Sequence, residues 1–111
     1  MNLLDIVSGG NVATLIGSEW RIGKRQFSVT NPADGEAIAR VADLGAEDAI
    51  EAVTEAERSG KAWRKVPVKE RARLLRRWYE LVVEETEALA RIMTLEQGKP
   101  LAEARGEGAY G

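Results

Sequence analysis

The sequence predicts a short strand-rich N-terminal region built around a β-hairpin, followed by three to four α-helices. Three observations carry this reading. Up to about Val41 the apolar residues come in short β-prone runs separated by turn residues. From Gly45 onward they recur at helical spacing. Pro67, Gly98 and Pro100 punctuate the second half where helices start and stop.

The strand runs are Ala13 to Ile16, Trp20-Arg21-Ile22, Phe27-Ser28-Val29 and Ala37 to Val41. Gly17-Ser18 and Gly23-Lys24 punctuate the first pair, and Asn31-Pro32-Ala33-Asp34-Gly35 separates the second. In that five-residue segment Pro32 fixes φ near −65°. Asp34 supplies a side-chain acceptor and Gly35 is free to take positive φ. The unit reads as strand, turn, strand, and turn chemistry accounts for its residues without a ligand.

The first helical stripe is Ala46, Ala49, Ile50, Val53 and Ala56. Glu47 and Asp48 lie where the positive end of the helix dipole favours acids, and Ser59-Gly60 is the expected stop. A second helix is expected after Pro67, with Leu74, Leu75, Trp78, Leu81 and Val82 on one face. Glu85 interrupts that stripe, which predicts a break between Glu84 and Glu87 and a third helix to about Glu96. Gly98 then acts as a C-terminal stop and Pro100 as the first residue of a short fourth helix. Each stripe needs a covering surface, since helices of this length rely on packing.

Composition narrows the chemistry. The 111 residues contain no Cys and no His, which excludes thiolate chemistry, disulfides, imidazole catalysis and His- or Cys-based metal sites within them. Hydrophobic residues at 44% and charged residues at 31% are those of an ordinary folded protein, and a net charge of −2 gives no global pull toward nucleic acid or an anionic membrane. Met1 to Ile16 has no basic leader region, carries Asp5 early, and is interrupted by Ser8-Gly9-Gly10-Asn11, so it does not read as a secretory signal. No apolar run approaches the ~20 residues that span a bilayer. A cytoplasmic protein is the expectation.

Two further patterns invite functional readings. Gly106-Glu107-Gly108-Ala109-Tyr110-Gly111 matches G-x-G-x-x-G, but Leu101 to Arg105 are helix formers where a dinucleotide loop needs a preceding strand. The basic cluster Lys61, Arg64, Lys65, Lys69, Arg71, Arg73, Arg76 and Arg77 could bind phosphates. Its spacing also brings Arg76 to Glu80 and Arg77 to Glu84, which favours a salt-bridged, solvated helix face. Trp63 and Trp78 are expected to be packing residues.

The stretch Thr94-Leu95-Glu96-Gln97-Gly98-Lys99-Pro100-Leu101-Ala102-Glu103-Ala104, taken with Thr30-Asn31-Pro32-Ala33-Asp34-Gly35 and Ala62-Trp63-Arg64, resembles the N-terminal region of the aldehyde dehydrogenase superfamily. The similarity is greatest to its succinate-semialdehyde dehydrogenase branch. It divides the chain into an unassigned arm, residues 1–15, and the N-terminal part of an aldehyde dehydrogenase domain, residues 16–111. The family fold is α/β, and in it this region contributes outer strands and first helices packed on the cofactor-binding domain.

The resemblance implies an enzyme that oxidises an aldehyde, with succinate semialdehyde the favoured substrate, to its acid with NAD or NADP. The cysteine nucleophile, glutamate base and cofactor segments of the family lie downstream of these residues. The chain therefore holds no catalytic and no cofactor-binding residue, and by itself is expected to be inactive and to bind no cofactor. One ligand carries over: Glu96, the acid of the T-L-[DE]-x-G-K-P motif, which in several family members joins the main-chain carbonyls at Val29 and Thr30 around a structural monovalent cation. The partners implied are a small aldehyde and further copies of the complete enzyme, with neither nucleic acid nor membrane. An independent helical interaction or nucleic-acid-binding module using residues 61–77 is the alternative, and a small carboxylate enzyme would be a third, with no convergent acid pair to support it.

Overall fold

The computed structural model describes residues 10–110. The part of the N-terminal arm before Gly10, and Gly111 at the end of the glycine motif, lie outside them. Among the described residues five strands precede four helices: β1 (Asn11–Val12), β2 (Thr14–Ile16), β3 (Glu19–Arg21), β4 (Gln26–Thr30) and β5 (Ala37–Ala42), then α1 (Ala46–Trp63), α2 (Val68–Glu84), α3 (Thr86–Gln97) and α4 (Leu101–Tyr110).

The strands form two small sheets. β4 and β5 make an antiparallel hairpin, aligning Phe27 with Val41 and Val29 with Ala39, with an irregularity at Val29/Thr30. β1 adds to the other edge of β5 in parallel, pairing Asn11 with Arg40 and Val12 with Val41. β2 and β3 form a separate two-stranded sheet, with Leu15 opposite Trp20. Among the described residues, strand pairing thus reaches back to Asn11, inside the stretch that the sequence alone left as an unassigned arm.

The β4–β5 turn is built as its residues dictate. Asn31 Oδ1 accepts from the Ala33 N–H at 3.0 Å, and Asp34 Oδ1 from the Glu36 N–H at 2.9 Å. Gly35 takes φ +76° and donates to the Asn31 carbonyl at 2.7 Å. These side-chain acceptors satisfy backbone donors that the reversing chain leaves unpaired.

The first helix begins at Gly45, whose N–H donates to Asp48 Oδ2 at 3.0 Å. It does not stop at Ser59-Gly60 but runs to Trp63, because Gly60 keeps a helical backbone and its carbonyl accepts from Arg64 N–H at 3.0 Å. One glycine inside a helix costs only about 1 kcal/mol. The chain turns just before Pro67, which restricts Val66 and then opens α2. At the far end of α2 the expected break is present: Glu85 leaves helical geometry at φ −99°, ψ 9°. The Thr86 hydroxyl donates to the Val82 and Val83 carbonyls at 3.2 and 2.9 Å, capping the helix that has just ended.

The third helix ends on Gly98 in the left-handed region at φ +73°, with its N–H on the Thr94 carbonyl at 2.9 Å. Pro100 precedes the fourth helix and does not belong to it; its carbonyl accepts from Glu103 and Ala104 N–H, each at 3.0 Å. Helices α3 and α4 pack as an antiparallel pair joined by this short turn. Ala90 and Ala104 are both fully buried there.

The remaining core is small: among the described residues, Ile16, Ala39 and Ala42 are the other buried apolar residues. The stripes on α1 and α2 stay open, with Val53 70% and Trp78 66% exposed. Trp63 and Trp78 were expected to be packed; among the described residues both sit at the surface, on helix faces that no other described element covers.

Candidate functional site

Two of the segments singled out in the sequence meet in space. Gly98, at the end of α3, lies so close to the β4–β5 turn that a β-carbon built on it would be 3.0 Å from Pro32 Cγ. The Gly-Lys-Pro turn and the Asn-Pro turn therefore form one joint. Positive φ at Gly98 and the lack of a side chain are both required for it. Lys99 reaches forward along α4 to an ion pair with Glu107.

Glu96 sits in the last turn of α3, two residues before this joint, and is exposed. Among the described residues no three His, Cys, Asp or Glu side chains converge as metal ligands, so Glu96 is not part of an acidic cluster. The donors that could assist it are backbone carbonyls of the adjoining strand end, a set of hard oxygens that suits a monovalent cation in kind. The packing of Gly98 on Pro32 brings the end of α3 beside the end of β4. The hydroxyl of Thr94 is buried nearby and has no hydrogen-bond partner among the described residues.

A long-range ion pair fixes the α3–α4 pair. Arg105 Nε and Nη2 donate to the two carboxylate oxygens of Glu87 at 2.6 and 3.0 Å. These hydrogen bonds hold the Glu87 carboxyl below the usual carboxylate value. Beside this pair, an open apolar groove of about 690 Å³ runs between α2 and α4, lined by Leu75, Trp78, Tyr79, Val82, Ala109 and Tyr110 among others. Its polar lining side chains are Thr86 and the two tyrosines.

The basic segment divides. Arg73 forks onto Glu70 at 2.6 and 3.1 Å, Arg76 bonds Glu80 at 3.2 Å and Arg77 bonds Glu84 at 3.3 Å. Arg76 also lies 5.2 Å over the Tyr79 ring. Its α2 portion is thus a salt-bridged helix face. Gly106 and Gly108 lie inside α4, preceded by helix and not by a strand, so the geometry of a phosphate-cradling loop is not formed there.

Among the described residues, five strands and four helices are joined at a Gly-Lys-Pro turn that abuts the Asn-Pro turn, with the apolar faces of α1 and α2 left open. The chain belongs to the aldehyde dehydrogenase family, whose pattern matches residues 20–110. It is similar to the 3-sulfolactaldehyde dehydrogenase of Pseudomonas putida, 56% identical over 81 residues, covering 73% of this chain and 17% of that protein. It is also similar to the NADP-dependent succinate-semialdehyde dehydrogenase of Escherichia coli, 47% identical over 98 residues, covering 86% of this chain and 20% of that one. The crystal structure of succinate-semialdehyde dehydrogenase from Burkholderia pseudomallei superimposes with a TM-score of 0.84 at 44% identity, over 89% of this chain and 21% of that chain. The chain therefore spans about a fifth of the length of these relatives.

Proposed function

We propose that these residues are the N-terminal portion of an NAD(P)-dependent aldehyde dehydrogenase that oxidises a short aldehyde carrying an acid group, with succinate semialdehyde the favoured substrate. The observation that carries this is the joint between Gly98 and Pro32, which unites the two family motifs in a segment that superimposes on a succinate-semialdehyde dehydrogenase. The names of the relatives support the substrate class, since succinate semialdehyde and 3-sulfolactaldehyde each pair an aldehyde with an anionic group.

In this reading the thiolate that attacks the aldehyde, the base that activates water and the nicotinamide that accepts hydride all act outside residues 10–110, in keeping with covalent and general-base catalysis. The described residues bind and orient other parts of the enzyme. The open faces of α1 and α2 pack on its cofactor-binding domain. Glu96 serves as the side-chain ligand of a structural monovalent cation, assisted by the carbonyls of Val29 and Thr30. The complete enzyme is a cytoplasmic homo-oligomer.

The test is a comparison of kcat/KM for succinate semialdehyde, 3-sulfolactaldehyde and an uncharged aldehyde of equal length, each with NAD and with NADP, on the intact gene product. Preference for an acid-bearing aldehyde by at least about tenfold is expected, the scale on which an unpaired charge in a binding pocket is felt. Equal rates for all three would sink the substrate assignment while leaving the family unaffected.

A further inference from the structure

We propose that Arg21 is an electrostatic latch that fastens the β2–β3 hairpin to α1, making this hairpin a separately releasable flap. The hairpin is its own two-stranded sheet, not hydrogen-bonded into β1–β5–β4. Its apolar anchoring is slight. Ile16 is buried, whereas the cross-strand pair Leu15 and Trp20 points away and is 52% and 69% exposed.

The polar contact is more specific. From β3, Arg21 Nη1 and Nη2 donate to Glu51 Oε2 and Oε1 on α1, both at 2.6 Å. The same guanidinium bonds Glu19 at 3.3 Å and approaches Asp48 at 4.0 Å. The Glu55 carboxylate lies against the hairpin turn, 3.3 Å from where a Gly17 β-carbon would stand, and is paired with Arg58 at 2.6 Å. Four carboxylates, Glu19, Asp48, Glu51 and Glu55, thus gather around two guanidiniums. Among the described residues, the ion pairs that join the two elements are those of Arg21.

Isolated surface ion pairs contribute little, but a bidentate fork shared among several acids is the exception. Without the Arg21 charge, Glu19 on the hairpin would face the acids of α1 with nothing between them. Lysine could not replace the fork, being a single point charge. The hydrogen bonds to Arg21 also hold Glu51 below the usual carboxylate value, in line with the geometry.

The experiment is amide hydrogen exchange followed by mass spectrometry on the intact gene product. In R21Q, exchange in residues 14–21 is expected to accelerate by about fivefold while residues 26–30 and 37–42 are unchanged, the signature of local opening. Raised salt should do the same to the unmodified protein. R21E should accelerate it further and the charge-swapped R21E/E51R pair should recover protection. If R21Q does not fold, E51Q carries the same test. Unchanged hairpin exchange, equal acceleration across the β4–β5 hairpin, or no recovery in the swapped pair would each overturn the latch.

Discussion

Gly98 rests against Pro32 with no room for a side chain, a β-carbon there falling 3.0 Å from the proline Cγ. The contact ties the end of α3 to the β4–β5 turn, two segments more than sixty residues apart in sequence. Gly98→Ala must hold a left-handed conformation with a β-carbon and push Pro32 aside. A loss of about 1–3 kcal/mol is expected from the two costs together. Chemical denaturation of the intact gene product checks it, and a change below about 0.5 kcal/mol would mean the joint relaxes freely.

The α3–α4 pair gives a second outcome. Ala90 and Ala104 are wholly buried where the helices meet, so a larger side chain has nowhere to go. Ala104→Leu should lower stability by about 1–3 kcal/mol through overpacking. Ala102→Leu, on the exposed side of the same helix, is the control and should leave the melting temperature where it was.

Acid should loosen this same pair. Hydrogen bonds from Arg105 hold Glu87 below its ordinary value. A carboxyl with a depressed folded-state pKa adds stability above its unfolded value, about 4.3, and loses that contribution as pH falls through the lower folded value. Glu51, Glu55 and Glu70, each bonded by an arginine, are depressed likewise. Melting temperature should therefore fall on acidification below pH about 4.3, and Glu87→Gln should make that fall shallower. A steeper fall in the variant would contradict the assignment.

Cation dependence tests the role proposed for Glu96. Exchanging potassium or sodium for tetramethylammonium at constant ionic strength should lower the melting temperature of the intact gene product, because the large organic cation cannot enter an oxygen-lined site. In Glu96→Gln the melting temperature should be indifferent to this exchange. An identical response in both proteins would remove Glu96 from any cation site.

What the sequence made legible was local. The Asn31–Gly35 turn, the Gly98 cap and the break before Thr86 each depend on residues within one or two turns of chain, and all three stand where their side chains place them. Gly60 misleads because the rule that glycine stops helices applies where φ turns positive, and here it does not. The pairing of Asn11 and Val12 with β5 left no signal, since two residues are too few to show a strand period. The Arg21–Glu51 and Arg105–Glu87 forks join residues 30 and 18 apart, and nothing in helical or strand spacing distinguishes these acids from their neighbours. Glu96 was singled out only through its motif, never through charge or period.

Trp78 separates a piece that is covered from one that stands alone. In the described residues it is 66% exposed on an open apolar stripe. If α2 packs on a cofactor-binding domain, Trp78→Ala in the intact gene product should cost about 3–5 kcal/mol, but no more than about 0.5 kcal/mol in the 111-residue chain alone. Comparable small losses in both would mean that this face is never covered.

The most direct measurement is aldehyde-dependent formation of NADH or NADPH by the intact gene product, run beside the 111-residue chain. Turnover of succinate semialdehyde is expected from the former and none from the latter, which holds no cysteine. Turnover by the short chain, or a folded intact product that reduces neither cofactor with any acid-bearing aldehyde, would contradict that expectation.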